Sequence, residues 1–97
     1  MTRTANSING VTVTLTDQGW SHIQERHPEI ERPEQVLDTI RRPDVIQRGD
    51  FGALLAVRRL EDVYQVVVYR ELTDDEGFII TAYLAERLRG REILWNR

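Results

Sequence analysis

The sequence predicts an α+β domain in which two helices pack on one face of an antiparallel sheet. The first half of the chain carries two apolar patterns of helical period, each followed by a proline. The second half carries three apolar stretches rich in β-branched residues and separated by short polar turns. A length of 97 residues is enough for one core, so we predict a single domain over residues 1–97.

The first regular element is a strand at VTVTLT, where apolar residues alternate with threonines. This alternation is typical of a strand that is buried on one side. The segment before Val11 is polar, and we expect residues 1–10 to be flexible.

A helix follows the first strand. Either Thr16 or Asp17 caps it, because each has a short side-chain oxygen that accepts an early backbone N–H. The helix ends at Arg26 or His27, since the residue before Pro28 is displaced from the helical conformation.

The segment RPEQVLDTIRRPD predicts a second helix. Pro33 suits its first turn, and Glu34 complements the positive N-terminus of the helix. Pro43 ends it. The predicted apolar stripe consists of Val36, Leu37 and Ile40.

Three strands form the second half. FGALLAVRRL and VYQVVVYREL are separated only by Glu61 and Asp62, which predicts a tight antiparallel hairpin. FIITAYLA is the third strand, after the turn TDDEG, and Ile93 to Trp95 adds a short strand or helix. The sheet face opposite the helices is left open, and we expect a cleft there.

Composition excludes several kinds of chemistry. The chain has no cysteine and no lysine, so disulfides, thiolate metal sites and Schiff-base catalysis are excluded. It has no long apolar run and no secretory signal, so we expect a cytoplasmic protein without membrane partners. A net charge of −3 disfavours strong non-specific binding of nucleic acid but permits a small arginine-lined site.

Both histidines lie in WSHIQERHPEI, on the first predicted helix. His27 shares a helix face with Trp20 and Ile23, whereas His22 and Arg26 are neighbours on an adjacent face. The two histidines are about 140° apart around the helix, so one ion cannot easily bind both, and we predict no metal site. His27 is either catalytic or a half-buried ring that caps the helix end, and His22 is either its partner or a surface residue.

A second candidate set lies on the strands. Arg70, Thr81 and Tyr83 are placed to project from paired strands toward one cleft, where their donors suit a phosphate. The alternative is ordinary sheet surface. The sequence has no glycine-rich phosphate loop, paired-carboxylate signature or nucleophilic triad, so we predict no cofactor.

The motifs RHPE, PDVI and ITAY, in this order, resemble phage- and prophage-associated nuclease families of the BECR group. That group includes barnase-like, EndoU-like, colicin-type tRNA-cleaving and RelE-like ribonucleases. The resemblance covers most of the chain. It implies N-terminal helices packed on a four-stranded antiparallel sheet, metal-independent cleavage of RNA such as tRNA or mRNA, and a toxin- or prophage-associated role. The chain departs from several RelE-like sites in having no lysine.

The family pattern, carried onto this sequence, implies a polar residue on the leading helix and a hydroxyl on the late strand. Our hypothesis is that the 2′-OH of RNA attacks the adjacent phosphorus, with histidine as acid and base and with arginines clamping the phosphate. The predicted catalytic residues are His27, His22 and Thr81, and the predicted substrate-binding residues are Arg26, Arg70 and Tyr83.

The alternative is a non-enzymatic binding module, such as a toxin-neutralising or phage accessory protein on the same fold. Under that interpretation both histidines and Trp20 are structural, and the arginines contact a protein. As a nuclease, the chain has RNA and a cognate inhibitor protein as its expected partners. We expect either a monomer or a homodimer formed through an exposed strand edge.

Overall fold

The computed structural model of the chain describes residues 2–97, which form one mixed sheet and two helices. Across the sheet the strand order is β1-β2-β6-β5-β4-β3-β7. The pairing of β2 with β6 is parallel, and the other pairings are antiparallel. In chain order the elements are β1 (Arg3–Asn6), β2 (Thr12–Leu15), α1 (Asp17–Arg26), α2 (Pro33–Arg41), β3 (Val45–Arg48), β4 (Leu54–Leu60), β5 (Val63–Glu71), β6 (Glu76–Ala85) and β7 (Ile93–Asn96).

The predicted four-stranded antiparallel sheet is wrong, because the sheet has seven strands and one parallel pair. β1 lies in the segment expected to be flexible, and β3 lies in a segment to which no element was assigned. Both strands have only four residues, and Ala5 is the one apolar residue of β1. Neither strand shows the alternation by which strands are recognised, because β1 is RTAN and β3 is VIQR.

Both helices have the predicted bounds for the predicted reasons. The Thr16 hydroxyl accepts a hydrogen bond from the Gly19 amide at 2.9 Å, and α1 ends just before His27 and Pro28. α2 begins at Pro33 and buries the predicted apolar stripe. Neither helix of the described chain is long and apolar enough to span a bilayer.

The face of the sheet that packs against the helices forms the main core, and we call it the helix face. Residues from six of the strands join residues from both helices in one buried cluster. Buried Gln65 of β5 adds a polar connection, since its amide donates to the Gln35 carbonyl of α2 at 2.7 Å and to the Thr39 hydroxyl. Buried members on the sheet include Val13, Ile46, Ala56, Val67, Tyr69, Ile79 and Ala82.

The opposite face of the sheet, which we call the site face, is only partly open. Leu55, Val57 and Val66 form a second, smaller cluster, and Leu88 packs against it. Residues 86–92 are held near β3 because the Gln47 amide donates to the backbone carbonyl of residue 89 at 3.1 Å. The segment that follows β6 therefore covers part of β3 and β4.

Candidate functional site

Strand register brings three predicted site residues onto the site face. Thr81 pairs with Val68, and Tyr83 pairs with Val66. Residues two apart on a strand point to the same side, so Arg70 shares the side of Val66 and Val68. Tyr83 and Val68 both pack against the small cluster of the site face, which fixes the side on which the set lies.

A β-bulge in β6 adds Phe78 to the site face, where alternation alone does not place it. Pairing shifts after Val68, so Ile80 has no partner and Phe78 pairs with Arg70. Strict alternation from Thr81 would put Phe78 on the helix face. The bulge reverses this, so that residue 79 is buried in the main core and Phe78 is 37% exposed.

His27 reaches the site because α1 lies along the edge of β6. β2 pairs only with Glu76–Phe78, at the start of β6. The rest of that edge is available to α1, the element that follows β2. The His27 ring lies 6.0 Å from the Tyr83 ring, centroid to centroid, at an interplanar angle of 41°. His27 thus lies against the side chain of Tyr83, on the site face.

A carboxylate lies beside the inner nitrogen of this histidine. Glu29 Oε2 is 3.5 Å from His27 Nδ1, and both side chains are partly exposed. A carboxylate at Nδ1 favours the tautomer that carries its proton there and leaves Nε2 as the acceptor. The sequence did not point to Glu29; the only signal is its position two residues after His27, just past Pro28.

Arg70 differs from the arginines that form ion pairs. Arg41, Arg48, Arg91 and Arg97 each have a carboxylate partner within 3.3 Å. No carboxylate within residues 2–97 lies at ion-pair distance from Arg70, whose Nη2 instead donates to the Phe51 carbonyl. Because a guanidinium has five N–H donors, most of those of Arg70 stay available for an anion.

His22 and Arg26 are not brought into this arrangement. Both are exposed on α1, and in the described part of the chain neither side chain forms a hydrogen bond, an ion pair or a ring contact. Four of the six predicted residues, His27, Arg70, Thr81 and Tyr83, therefore belong to one surface. Among residues 2–97, no group of three or more His, Asp or Glu side chains is placed to hold a metal ion.

The chain matches no protein-family model, no curated protein and no solved structure. A functional assignment must therefore come from the chemistry of the site itself.

Proposed function

We propose that this chain is a ribonuclease that cleaves RNA through attack of a 2′-OH on the adjacent phosphorus, without a metal ion. The observation that supports it best is the contact of His27 with Tyr83 on the face that also carries Arg70 and Thr81. This set combines a base, two hydroxyl donors and an uncompensated cation. These are the groups that phosphoryl transfer from a neighbouring hydroxyl requires.

In the proposed reaction His27 Nε2 removes the 2′-OH proton while Glu29 holds Nδ1. The 2′-oxygen bonds to phosphorus, and the bond from phosphorus to the 5′-oxygen breaks. The Tyr83 hydroxyl gives its proton to the leaving 5′-oxygen and regains one from His27. Arg70 and Thr81 hold the non-bridging oxygens, where negative charge builds up. The products are a 2′,3′-cyclic phosphate and a 5′-OH.

The acidic net charge is compatible with this role if binding is local. Arg87 and Arg89, just beyond β6, are exposed and form no ion pair within residues 2–97, so they add positive charge near the end of that strand. With few phosphates neutralised, the affinity for RNA depends weakly on salt, with a logarithmic slope of about −0.7 per contacted phosphate. The sequence resemblance to BECR-group nucleases favours the same assignment, although the seven-stranded sheet differs from the four-stranded sheet that the resemblance implies. A toxin- or prophage-associated role and a cognate inhibitor are parts of the proposal.

The direct test is incubation of purified protein with tRNA and with mixed RNA in the presence of EDTA. We expect cyclic-phosphate products from the wild type and a loss of about 100-fold or more in rate for His27→Ala and Tyr83→Phe. His22→Ala is the matched control, because His22 is exposed on the same helix and outside the site, and it should retain activity.

Equal survival of the RNA with wild type and His27→Ala would overturn the proposal. Expression in a host separates the non-enzymatic alternative, since an active ribonuclease slows growth in a His27-dependent way and a binding module does not. Circular dichroism of each variant shows whether a loss of activity reflects a loss of folding.

A further inference from the structure

Large apolar side chains are exposed around Arg70. Phe78 pairs with Arg70 across the strands, Leu72 lies two residues further along the chain, and Ile80 is the bulge residue. Phe51 joins them because its carbonyl accepts a hydrogen bond from the Arg70 guanidinium. A cation with no carboxylate partner thus has two exposed aromatic residues as neighbours, Phe78 and Phe51.

Phe51 is the most unusual of these residues. It is 93% exposed, and its backbone has φ 55° and ψ 40°, in the left-handed region. That region is unfavourable for a bulky residue. Gly52, also at positive φ, lies so close to Arg70 that a Cβ on it would be 3.4 Å from Nη1. The turn therefore packs on Arg70 and directs the Phe51 ring into solvent, an arrangement that adds nothing to the core.

Phe78 lines a depression on the site face. This depression measures about 520 Å³ and lies at the start of β6, between the end of β5 and β2. Its wall also includes Thr12, Thr14, Leu72 and the carboxylates of Asp75 and Glu76. Its volume is within the range of small-molecule sites, about 300 to 1,000 Å³. An aromatic wall with hydroxyl groups nearby suits a flat heteroaromatic ring that has polar edges.

We infer that Phe51 and Phe78 stack nucleobases of single-stranded RNA next to the phosphate held by Arg70. The inference rests on the proposed function and specifies its substrate class, which is unpaired RNA. An aromatic ring stacks on the face of any base, whereas bases inside a duplex present no free face. Arg70 of β5 lies between Phe78 of β6 and Phe51 of the turn before β4, an order that suits one phosphate with a base on either side of it.

The experiment measures binding separately from cleavage. Fluorescence anisotropy in EDTA, in a His27→Ala background, compares a labelled single-stranded RNA of ten nucleotides with the duplex of the same sequence. We expect the single strand to bind about ten-fold more tightly or better. Phe51→Ala and Phe51→Leu should each weaken single-strand binding by about ten-fold, and Phe51→Trp should retain it. Ile93→Ala, at a 53% exposed apolar residue on β7, is the control and should have no effect.

Each outcome decides between the two proposals. If the wild type does not cleave RNA but single-strand binding depends on an aromatic residue at 51, the inference stands and the cleavage mechanism fails. If RNA is cleaved and Phe51→Ala leaves KM unchanged, the inference is overturned while the ribonuclease remains. The inference is also overturned if Phe51→Leu retains the affinity of the wild type, if the duplex binds as tightly as the single strand, or if the protein binds no RNA. Retention by leucine would indicate an apolar contact with a protein.

Discussion

Replacement of Phe51 by glycine should make the protein more stable. The Phe51 side chain is 93% exposed, so its removal forfeits almost no buried apolar surface. Its backbone lies at φ 55°, a conformation that glycine adopts without steric cost. Phe51→Gly thus removes strain from the native state and leaves the packing unchanged.

The expected gain is the difference between two effects. A left-handed conformation costs a residue with a side chain about 1–2 kcal/mol. Glycine increases the entropy of the unfolded chain, which offsets about 0.5–1 kcal/mol of that relief. The net increase in the free energy of unfolding is about 0.5–1 kcal/mol, or a few degrees in Tm for a domain of this size. Phe51→Ala retains the strained backbone and should stay within about 0.5 kcal/mol of the wild type.

Urea denaturation of wild type, Phe51→Gly and Phe51→Ala, followed by the fluorescence of Trp20 and Trp95, measures the three free energies. The reasoning is refuted if glycine is no more stable than alanine, because the turn would then carry no strain. A loss of more than about 2 kcal/mol in both variants would refute the exposure of Phe51. A stabilised glycine variant that binds RNA more weakly would show that stability is sacrificed at this turn for binding.

Three further perturbations test the fold and the site. Gly77→Ala should destabilise the protein by about 3 kcal/mol or more in urea denaturation, because a Cβ there would lie 2.3 Å from the Arg70 carbonyl oxygen. Gly90→Ala is the control and should change little, because a Cβ at residue 90 meets nothing within 4 Å. Burial, and secondarily the charge of Glu71, raise the pKa of Tyr69, so the free energy of unfolding should fall above pH 10 by about 1.4 kcal/mol per pH unit. Tyr69→Phe should remove that slope, as measured by denaturation at several pH values. Glu29→Gln should lower kcat for RNA by about ten-fold with KM unchanged, because the carboxylate orients His27 without touching the substrate.

The sign of the alkaline prediction follows from linkage. The pKa of Tyr69 is raised in the folded state, so its contribution to stability is complete below the unfolded pKa of about 10 and is lost as the pH rises through the folded value. The chain has no lysine or cysteine, so few other side chains titrate in this range. The alkaline prediction is contradicted if wild type and Tyr69→Phe lose stability with the same slope. The glycine prediction is contradicted if Gly77→Ala and Gly90→Ala are equally stable, and the Glu29 prediction is contradicted if Glu29→Gln changes only KM.

The elements that were predicted correctly are those whose signals are local. Thr16, Pro28, Pro33 and Pro43 set the helix bounds through contacts within a few residues, and the β4–β5 hairpin follows from two stretches joined by a short turn. The parallel pairing of β2 with β6 joins segments at opposite ends of the sequence, and no local pattern specifies a partner over that distance. The count of strands was wrong for the same reason, since β1 and β3 acquire their role only from their neighbours.

The same difference between local and long-range signals applies to the residues of the candidate site. Alternation predicts that Thr81 and Tyr83 share one side of their strand, and the hypothesis that Arg70 projects toward the same cleft needs the register of β5 against β6. That register puts the three residues on one face. The bulge at Ile80 has no signature in the sequence, so the exposure of Phe78 was not foreseen. The apolar stretch FGALLAVRRL predicts that Phe51 is the first residue of a strand, which is wrong, because residues 50–52 form a turn and the two glycines in GDFG are typical of one.

The residues of the site are held by buried neighbours in the chain. Thr81 and Tyr83 flank Ala82, which is fully buried, and Arg70 follows Tyr69, which is 1% exposed. Such neighbours fix the backbone, so the strand residues of the candidate site are held in place before any ligand binds.

Phe51 lacks this support, because it lies in the turn before β4 and none of residues 50–52 is buried. Its carbonyl accepts a hydrogen bond from Arg70, and the turn is also closed by backbone hydrogen bonds from Gly49 to Ala53 and from Ala53 to Asp50. A phosphate at Arg70 would use the guanidinium donors that the Phe51 carbonyl leaves available. In the proposed complex, the residue that stacks a base is therefore linked to the residue that binds the phosphate, because the Phe51 carbonyl accepts a hydrogen bond from Arg70.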